Sequence, residues 1–201
     1  MNFLPEGTSI PQASDKYFKF ELGDNRFRIL GSAIVGFELW VEGKPVRRKT
    51  ADQFTPEELR GADINKFNGL RKTPQYFWAF PVWNYETEKV QILEVTQSRV
   101  MRAIESYLND EDYGKDPTQY DLVVVKDEAA NKKIEYSVKA KPPKPLDEGI
   151  AQLFKDMKIR LEALYEGGDP FNSDEPIDND KADEAIQAQM QQNAARPSHR
   201  E

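Results

Sequence analysis

Short apolar runs separated by polar turn segments dominate the chain between residues 17 and 140. Such runs predict β-strands, because successive side chains of a strand point to opposite faces and at least one face is buried. Their spacing suits antiparallel strands in a barrel or a sandwich. The predicted strand pairs are 17–22 with 26–30 around Gly23-Asp24-Asn25, 33–41 with 44–49, 76–85 with 90–96, and 120–126 with 133–140.

Three segments carry helical signals instead. Thr55-Pro56-Glu57-Glu58 is a capping-box sequence with proline at the first helical position. The segments 98–108 and 150–164 repeat apolar residues at helical spacing, and Gly167-Gly168 is expected to end the second. The segment 141–145, in which three of five residues are proline, predicts a stiff extended connector.

Composition narrows the possible chemistry. The 201 residues include no cysteine and one histidine, His199, so disulfides, thiolate nucleophiles and Cys-bound zinc are excluded. A catalytic triad or a multi-histidine metal site needs residues that the chain lacks. We therefore expect no catalytic residue, no metal and no cofactor. No apolar run is long enough to span a bilayer and no secretory leader is visible, so we expect a soluble, cytoplasmic protein.

The net charge of −7 is unevenly distributed. Residues 168–201 contain eight acids and three bases, a net charge of −5, with few large apolar side chains. Such a segment cannot bury enough apolar surface to offset its ordering entropy, which predicts a disordered acidic tail. The segment 41–75 is the reverse, with eight bases and five acids.

Residues 76–85 read Tyr-Phe-Trp-Ala-Phe-Pro-Val-Trp-Asn-Tyr, which puts large side chains on both faces of one strand. One hypothesis is that exposed rings stack on nucleic-acid bases, at about 1–3 kcal/mol per base regardless of sequence. The alternative is that both faces are buried between the sheet and the helices. The stacking hypothesis prefers the even-numbered face and names Trp40, Tyr76, Trp78, Phe80, Trp83 and Tyr85.

Basic residues around this strand are candidates for neutralising phosphates, although an ordinary solvated loop would have the same composition. The predicted phosphate contacts are Lys44, Arg47, Arg48, Lys49, Arg71 and Lys72. Two other functions remain open. Asp121, Glu135 and Lys139 on one predicted hairpin are compatible with a carboxylate-dependent metal nuclease acting on DNA, and an aromatic strand that docks a peptide along its edge would make a protein-interaction module.

Several blocks of the sequence, in their order and spacing, resemble a family of single-stranded-DNA-binding proteins from tailed phages. The resemblance covers residues 17–146 and rests on the following blocks: 24–30 (Asp-Asn-Arg-Phe-Arg-Ile-Leu), 36–40 (Gly-Phe-Glu-Leu-Trp), 77–85, 90–97, Tyr120-Asp121 and 136–146. It implies a non-catalytic protein that covers single-stranded DNA during phage replication, recombination and repair in the cytoplasm of the infected host. It also implies that Trp40, the aromatic residues of 76–85 and the basic loop 44–49 contact the DNA.

The sequence pattern and the resemblance together predict a domain layout. Residues 1–16 would be an N-terminal extension and 17–146 an OB-fold, which is a five-stranded antiparallel barrel, here with a helical insertion at about 50–72. Residues 147–167 would be a helix packed on the barrel, and 168–201 an acidic tail that recruits replication or recombination proteins or competes with DNA. The predicted partner-binding residues of the tail are Phe171, Asp174, Glu175, Asp178 and Asp180.

Overall fold

A computed structural model describes residues 15–66, 68–129 and 133–172. This part of the chain is mainly β. Its strands are β1 (Tyr17–Phe18), β2 (Gly23–Ile29), β3 (Ile34–Val41), β4 (Lys44–Arg48), β5 (Gln75–Asn84), β6 (Lys89–Val95), β7 (Asp121–Glu128) and β8 (Ile134–Ala140). Its helices are α1 (Pro56–Arg60), α2 (Ser98–Leu108) and α3 (Glu148–Met157), with 3-10 turns at Ala51–Gln53, Pro117–Gln119 and Leu161–Glu166.

All these strands join one open sheet, in the order β1-β6-β5-β2-β7-β8, and β3 pairs with β4 and with β5. β2 and β3 lie one after the other along the same edge of β5, so they act as one interrupted strand. The later strand β7 then returns to lie beside β2, which gives the Greek-key order β7-β2-β5-β6. Within the described residues β6 and β8 do not pair, and α2 packs against both.

The interruption between β2 and β3 bends the strand. Ile29 lies opposite Val82 and Ile34 opposite Ala79, so four residues of this edge face only two of β5. Gly31 lies in the bend, where a Cβ would come within 3.1 Å of the Phe154 ring and 3.3 Å of Pro81 Cγ. The small residue therefore lets α3 approach the sheet at the bend.

The predicted hairpin of 17–22 with 26–30 is wrong. Tyr17 and Phe18 pair in parallel with Ile92 and Leu93 of β6, and Gly23-Asp24-Asn25 belongs to β2. The chain does turn before β2, since the Asn25 side-chain amide accepts from the Glu21 N–H and donates to the Glu21 carbonyl. The hairpin is excluded because β5 and β7 occupy the two edges of β2. The other three predicted strand pairs are confirmed.

The capping box that opens α1 is also confirmed. The Glu58 N–H donates to Thr55 Oγ1 at 3.2 Å, and Glu58 Oε2 accepts from the Thr55 N–H at 2.9 Å. Below this helical insertion lies a small apolar cluster of Leu39, Phe54 and Ala62, which holds it against β3.

Apolar clusters cover both faces of β5. On the inner face, Phe80 and Val82 join Phe27, Leu122 and the apolar side of α2 in the main core. On the outer face, a second cluster contains Phe77, Ala79, Ile92, Leu161 and Leu164. The second cluster is closed by the 3-10 turn Leu161–Glu166, so the end of the described chain is part of the fold.

The single C-terminal helix predicted over 150–164 is divided in the structure. α3 ends at Met157, because Lys158 adopts a left-handed conformation (φ 45°), and a 3-10 turn follows from Leu161. The apolar residues keep their predicted role of packing on the sheet. A straight helix would not let Leu161 and Leu164 reach the outer face while Phe154 contacts the bend at Gly31.

The acidic tail begins later than the predicted residue 168. The Arg160 N–H donates to the Pro170 carbonyl at 2.9 Å, Asp169 pairs with Lys16, and Phe171 packs on the outer-face cluster. The chain divides into one unit up to Phe171 and a second from Asn172. The predicted disorder of 173–201 and the N-terminal extension up to residue 14 lie outside the described residues. Among the described helices, none is long and apolar enough to cross a membrane.

If the C-terminal segment is part of the fold, Leu164→Ala should lower the free energy of unfolding by about 2–5 kcal/mol, because the side chain is 1% exposed. Leu153→Ala on α3 makes the same change at a side chain that is 44% exposed, and should cost less than about 1 kcal/mol. Urea unfolding of both variants measures the difference. Equal costs would show that Leu164 is not buried as described.

Candidate nucleic-acid interface

β5 is the central strand of the sheet, and most of its large side chains are buried. Phe77, Ala79 and Val82 have no exposed surface, and Phe80 is 2% exposed. The prediction that Phe80 stacks on bases is therefore corrected: its ring belongs to the main core. For the middle of this strand, the structure supports the alternative in which both faces are buried.

Trp78 and Tyr76 differ in how much of their rings faces solvent. Trp78 is half-buried and packs against the main core, which commits part of the ring to the interior. Tyr76 is 45% exposed and lies opposite Phe37 on β3, with the two rings edge to face at 5.5 Å. Tyr76 thus remains available to a ligand, on the inner-face side at the start of β5.

Trp40 is the most exposed tryptophan candidate, with 38% of its surface accessible. Its indole N–H donates to Glu38 Oε1 at 2.9 Å, and the Lys72 ammonium lies 5.2 Å from the ring centroid. Both contacts fix the ring at the edge of the sheet, with a cation beside it. The structure therefore brings together one predicted stacking residue and one predicted phosphate contact.

The predicted basic loop contributes fewer available cations than its sequence indicates. Arg47 is 8% exposed, and its Nη2 donates to both oxygens of Glu94 at 2.7 and 2.8 Å and lies 3.3 Å from Glu38 Oε2. Arg47 as a phosphate contact is thus corrected: it lies opposite Glu38 on the outer face and is buried there between two carboxylates. Arg48 pairs with Glu58 at 2.6 Å and keeps a partly exposed side chain.

Three of the remaining predicted cations lie near Trp40. Lys72 is half-buried beside the indole, and Lys44 and Arg71 are exposed. Lys44 lies opposite Val41, the residue after Trp40, and Arg71 donates to the Ala62 carbonyl at 3.1 Å, which ties it to the insertion. Lys49 is exposed just after the other end of β4, with its ammonium 5.7 Å from the Tyr165 ring centroid. We call Trp40, Lys44, Arg71 and Lys72 the Trp40 site.

A second group at the other end of β5 centres on Asp121, which is fully buried. Its carboxylate accepts from Arg26 Nε at 3.0 Å, Arg28 Nε at 2.6 Å and the Tyr85 hydroxyl at 2.8 Å, and Lys144 Nζ lies 3.5 Å away. The Arg26 guanidinium lies 4.2 Å from the Tyr85 ring centroid, and the Lys144 ammonium 5.7 Å. We call these five residues the Tyr85 cluster.

From this cluster, the sequence pattern predicted Tyr85 as a DNA contact and Asp121 only as an acid of the alternative nuclease site. A signal was present in Arg26-Phe27-Arg28, because alternation puts two arginines on one face of a strand with a core residue between them. Their shared partner Asp121 is 93 residues away from Arg28 along the chain, and only the pairing of β2 with β7 brings them together.

Charge controls the protonation of this cluster. Burial alone would raise the pKa of Asp121, but hydrogen bonds from Arg26 and Tyr85 and the charge of Arg28 more than offset it, so the pKa is lowered. Burial and the hydrogen bond to Asp121 raise the pKa of Tyr85. Asp121 is thus an anion and Tyr85 a neutral donor at neutral pH.

The Trp40 site and the Tyr85 cluster share the outer face of the sheet. Glu38 lies opposite Gln75 of β5, so these two side chains share a face. Trp40 follows Glu38 by two residues and Phe77 follows Gln75 by two, and alternation puts both on that same outer face. Trp83 of β5 lies opposite Arg28 on the same face and is half-buried. The 3-10 turn Leu161–Glu166 covers the middle of the face and leaves its two ends open.

Of the predicted partner-binding residues in the tail, the described residues include one. Phe171 packs on the outer-face cluster and lies 5.7 Å from Lys16 Nζ, so it belongs to the fold and not to a free tail. The other predicted partner-binding residues lie outside the described residues, and their role stays a prediction: Asp174, Glu175, Asp178 and Asp180.

Two observations bear on the alternative functions. β5 pairs with β6 over residues 78–84 on one edge and with β2 and β3 over residues 82–84 and 75–79 on the other, so neighbouring strands occupy most of both edges. The Asp121 oxygens that the nuclease hypothesis requires are held by Arg26, Arg28 and Tyr85. Among the described residues, no group of three or more acidic or histidine side chains is arranged to hold a metal ion.

Comparison with known proteins identifies no relative. No family model, no curated protein and no solved structure matches the chain. The resemblance to phage single-stranded-DNA-binding proteins therefore stays a prediction.

The pair of carboxylates around Arg47 predicts a pH dependence of stability. Burial and the neighbouring Glu38 raise the pKa of Glu94 from 4.5 to about 7, although Arg47 opposes this. Between these values the folded protein holds a proton that the unfolded chain releases, so stability should fall as the pH rises from about 4.5 to about 7. We expect a loss on the order of 1 kcal/mol per pH unit, measured by urea unfolding.

Glu38→Gln leaves one carboxylate with one guanidinium and should flatten this slope. Glu57→Gln is the matched control, because Glu57 is exposed and pairs only with Arg60 among the described ion pairs. It should keep the wild-type slope. A Glu38→Gln slope equal to that of the wild type would contradict the assignment to this pair.

Proposed function

We propose that this protein binds single-stranded DNA without catalysing a reaction on it. The observation that carries the proposal is the Trp40 site, in which an exposed indole is held beside Lys72 at an end of the sheet where Lys44 and Arg71 are also exposed. An exposed ring offers a stacking surface for a base, and the cations neutralise the adjacent phosphates.

The strand connectivity supports an OB-type domain. Such a domain is a five-stranded, partly open Greek-key barrel that binds oligonucleotides on its second and third strands and the loops beside them. If β2 and β3 count as the first strand, then β5, β6, β7 and β8 are the other four, in Greek-key order. On this assignment the insertion that carries Lys72 is the loop between the first and second strands.

The middle of the outer face of β5 is covered and does not offer a binding surface. Leu161 and Leu164 cover Phe77 and Ala79, so bases have ring surface to stack on only toward the ends of β5. The proposal therefore assigns base stacking on this face to Trp40 and assigns none to the core aromatics. Tyr76 is exposed on the opposite, inner-face side. Duplex DNA is disfavoured because its paired bases hide their faces from an indole.

The biological setting and the tail extend the proposal. The resemblance to the tailed-phage family supports a role in covering single strands during phage replication, recombination and repair. The acidic segment after Asn172 would then compete with DNA for the basic surface or recruit replication and recombination proteins.

The proposal is tested by titrating the protein with an oligothymidylate of about 16 nucleotides, the upper site size of one OB-type domain, while following tryptophan emission. Stacking on Trp40 should quench the emission. Trp40→Ala should weaken binding by about 1–3 kcal/mol, the value of one stacked base. Leu70→Ala, which removes another exposed apolar side chain of the same insertion (66% exposed), should leave the affinity unchanged.

A wild-type protein that shows neither quenching nor retention of the strand would overturn the proposal. Cleavage of the strand in the presence of magnesium would favour the nuclease alternative instead.

The salt dependence tests the phosphate contacts. Each contact with a single strand contributes about 0.7 to the slope of log K against log salt, so Lys72→Gln should lower the slope by about 0.7. Arg102→Gln removes one exposed charge from α2, which packs on the inner face, and should leave the slope unchanged. Equal slopes in both variants would remove Lys72 from the DNA contact.

Ending the chain at Asn172 removes the acidic tail but keeps Asp169, Pro170 and Phe171, which pack on the fold. The truncated protein should unfold at the same urea concentration as the full chain. It should bind the oligothymidylate more tightly at low salt, because the segment 173–201 carries seven acids and three bases and no longer competes. Weaker binding after truncation would contradict competition by the tail.

A further inference from the structure

We propose that the Tyr85 cluster is a second binding site for the same DNA strand, one that takes up phosphodiester groups at the end of the outer face opposite the Trp40 site. This inference rests on the proposed function. Arg26, Arg28, Asp121 and Lys144 are outside the residues that the sequence pattern assigns to DNA binding.

The cluster holds more positive than negative charge. Asp121 is a single carboxylate with three cations within ion-pair distance, so the cluster keeps a net charge of +2. One arginine would be enough to neutralise a buried carboxylate, and Arg28, which is as fully buried as Asp121, fills that role. The other two cations are surplus to that need, and they reach the surface: the Arg26 side chain is 42% exposed and that of Lys144 is 50% exposed.

The surface around the Tyr85 cluster carries further positive charge. Lys139 lies opposite Val123, which lies opposite Arg26, so the two cations share the outer face. Lys141 follows β8 and its N–H donates to the Asp121 carbonyl, which puts its Cα beside the cluster. Asp24, two residues before Arg26 on β2, is the nearest acid on this face of that strand.

The side chains of the cluster are preorganised. The Tyr85 hydroxyl donates to Asp121, and the Arg26 guanidinium lies over the ring while also donating to Asp121. Ring and guanidinium are therefore fixed before a ligand arrives, and little rotamer entropy is lost on binding. An arginine with surplus N–H donors suits a phosphate oxygen, and the plane of a guanidinium is also a surface on which a base stacks. Asp121 acts as a positioning residue in this arrangement.

The Trp40 site and the Tyr85 cluster lie on one face, separated along the strand direction of β5 by roughly 40 Å at the rise of a strand. Leu161–Glu166 occupies the face between them. A strand that engages both ends must therefore pass this covered middle, and the two sites together bind more tightly than either alone because the second contact is intramolecular.

The test uses the full chain and two double variants that each remove two positive charges. Arg26→Gln with Lys144→Gln removes the exposed cations of the cluster and leaves Arg28 and Tyr85 to hold Asp121. Arg99→Gln with Arg102→Gln removes two exposed cations from α2, on the inner-face side. Because the net charge of the two variants is identical, a difference between them reports a local contact and not a general change of field.

Binding of the oligothymidylate of about 16 nucleotides is measured by tryptophan quenching between low and moderate salt. The Arg26/Lys144 variant should bind about tenfold more weakly than the Arg99/Arg102 variant at low salt, and its salt slope should be smaller by about 1.4, the value of two phosphate contacts. Equal affinities and slopes in the two variants would overturn the inference.

Failure of the proposed function can be told apart from failure of the second site. If the wild type does not bind the oligonucleotide, the proposed function fails, whereas binding by the wild type with no difference between the variants rejects the second site alone. Should the Arg26/Lys144 variant unfold, as judged by circular dichroism, Lys144→Gln alone replaces it, because half of that side chain is exposed. Its salt slope should then fall by about 0.7, and an unchanged slope would reject the site.

Discussion

Burial of both faces of β5 is the constraint on which the rest of the structure depends. The strand carries Phe80 and Val82 on one side and Phe77 and Ala79 on the other, and all four are excluded from water. The inner face is covered by α2 and the neighbouring strands, as in any β-sheet with one core. The outer face needs a second cover, and the chain provides it from its own C-terminal segment through Leu161 and Leu164.

This cover decides where a ligand can bind. With the middle of the outer face occupied, the exposed aromatic side chains of the sheet on this face lie toward its two ends, at Trp40 and at Trp83 with Tyr85. Each end also holds a buried ion cluster, and the two clusters have net charges of opposite sign. Arg47 lies between two carboxylates at one end, whereas Asp121 is surrounded by three cations at the other. The end near Tyr85 thus has a permanent excess of positive charge for phosphates, while the charge beneath Trp40 varies with the protonation of Glu94.

Local patterns predicted much of the fold. The hairpins of β3 with β4, β5 with β6 and β7 with β8, the helix Ser98–Leu108 and the capping box at Thr55 follow from periodicity and turn chemistry, which act over a few residues. The predicted first hairpin failed because its strand found partners far away in the sequence. Phe80 could not be separated from a stacking residue, since an aromatic strand has the same composition in either role. Arg47 was misassigned because its carboxylate partners, Glu38 and Glu94, lie on other strands.

By itself, the sequence determined the β-rich class, the excess of aromatic residues in one strand, and the separation of a basic insertion from an acidic end. It also determined which side chains alternate on each strand, because that period is a property of the backbone. Only the tertiary structure decided which face of β5 is covered, where the covering segment bends at Lys158, and which of the many cations have carboxylate partners. Those outcomes depend on contacts such as Arg28 with Asp121, which join residues 93 positions apart and arise only when the strands are assembled.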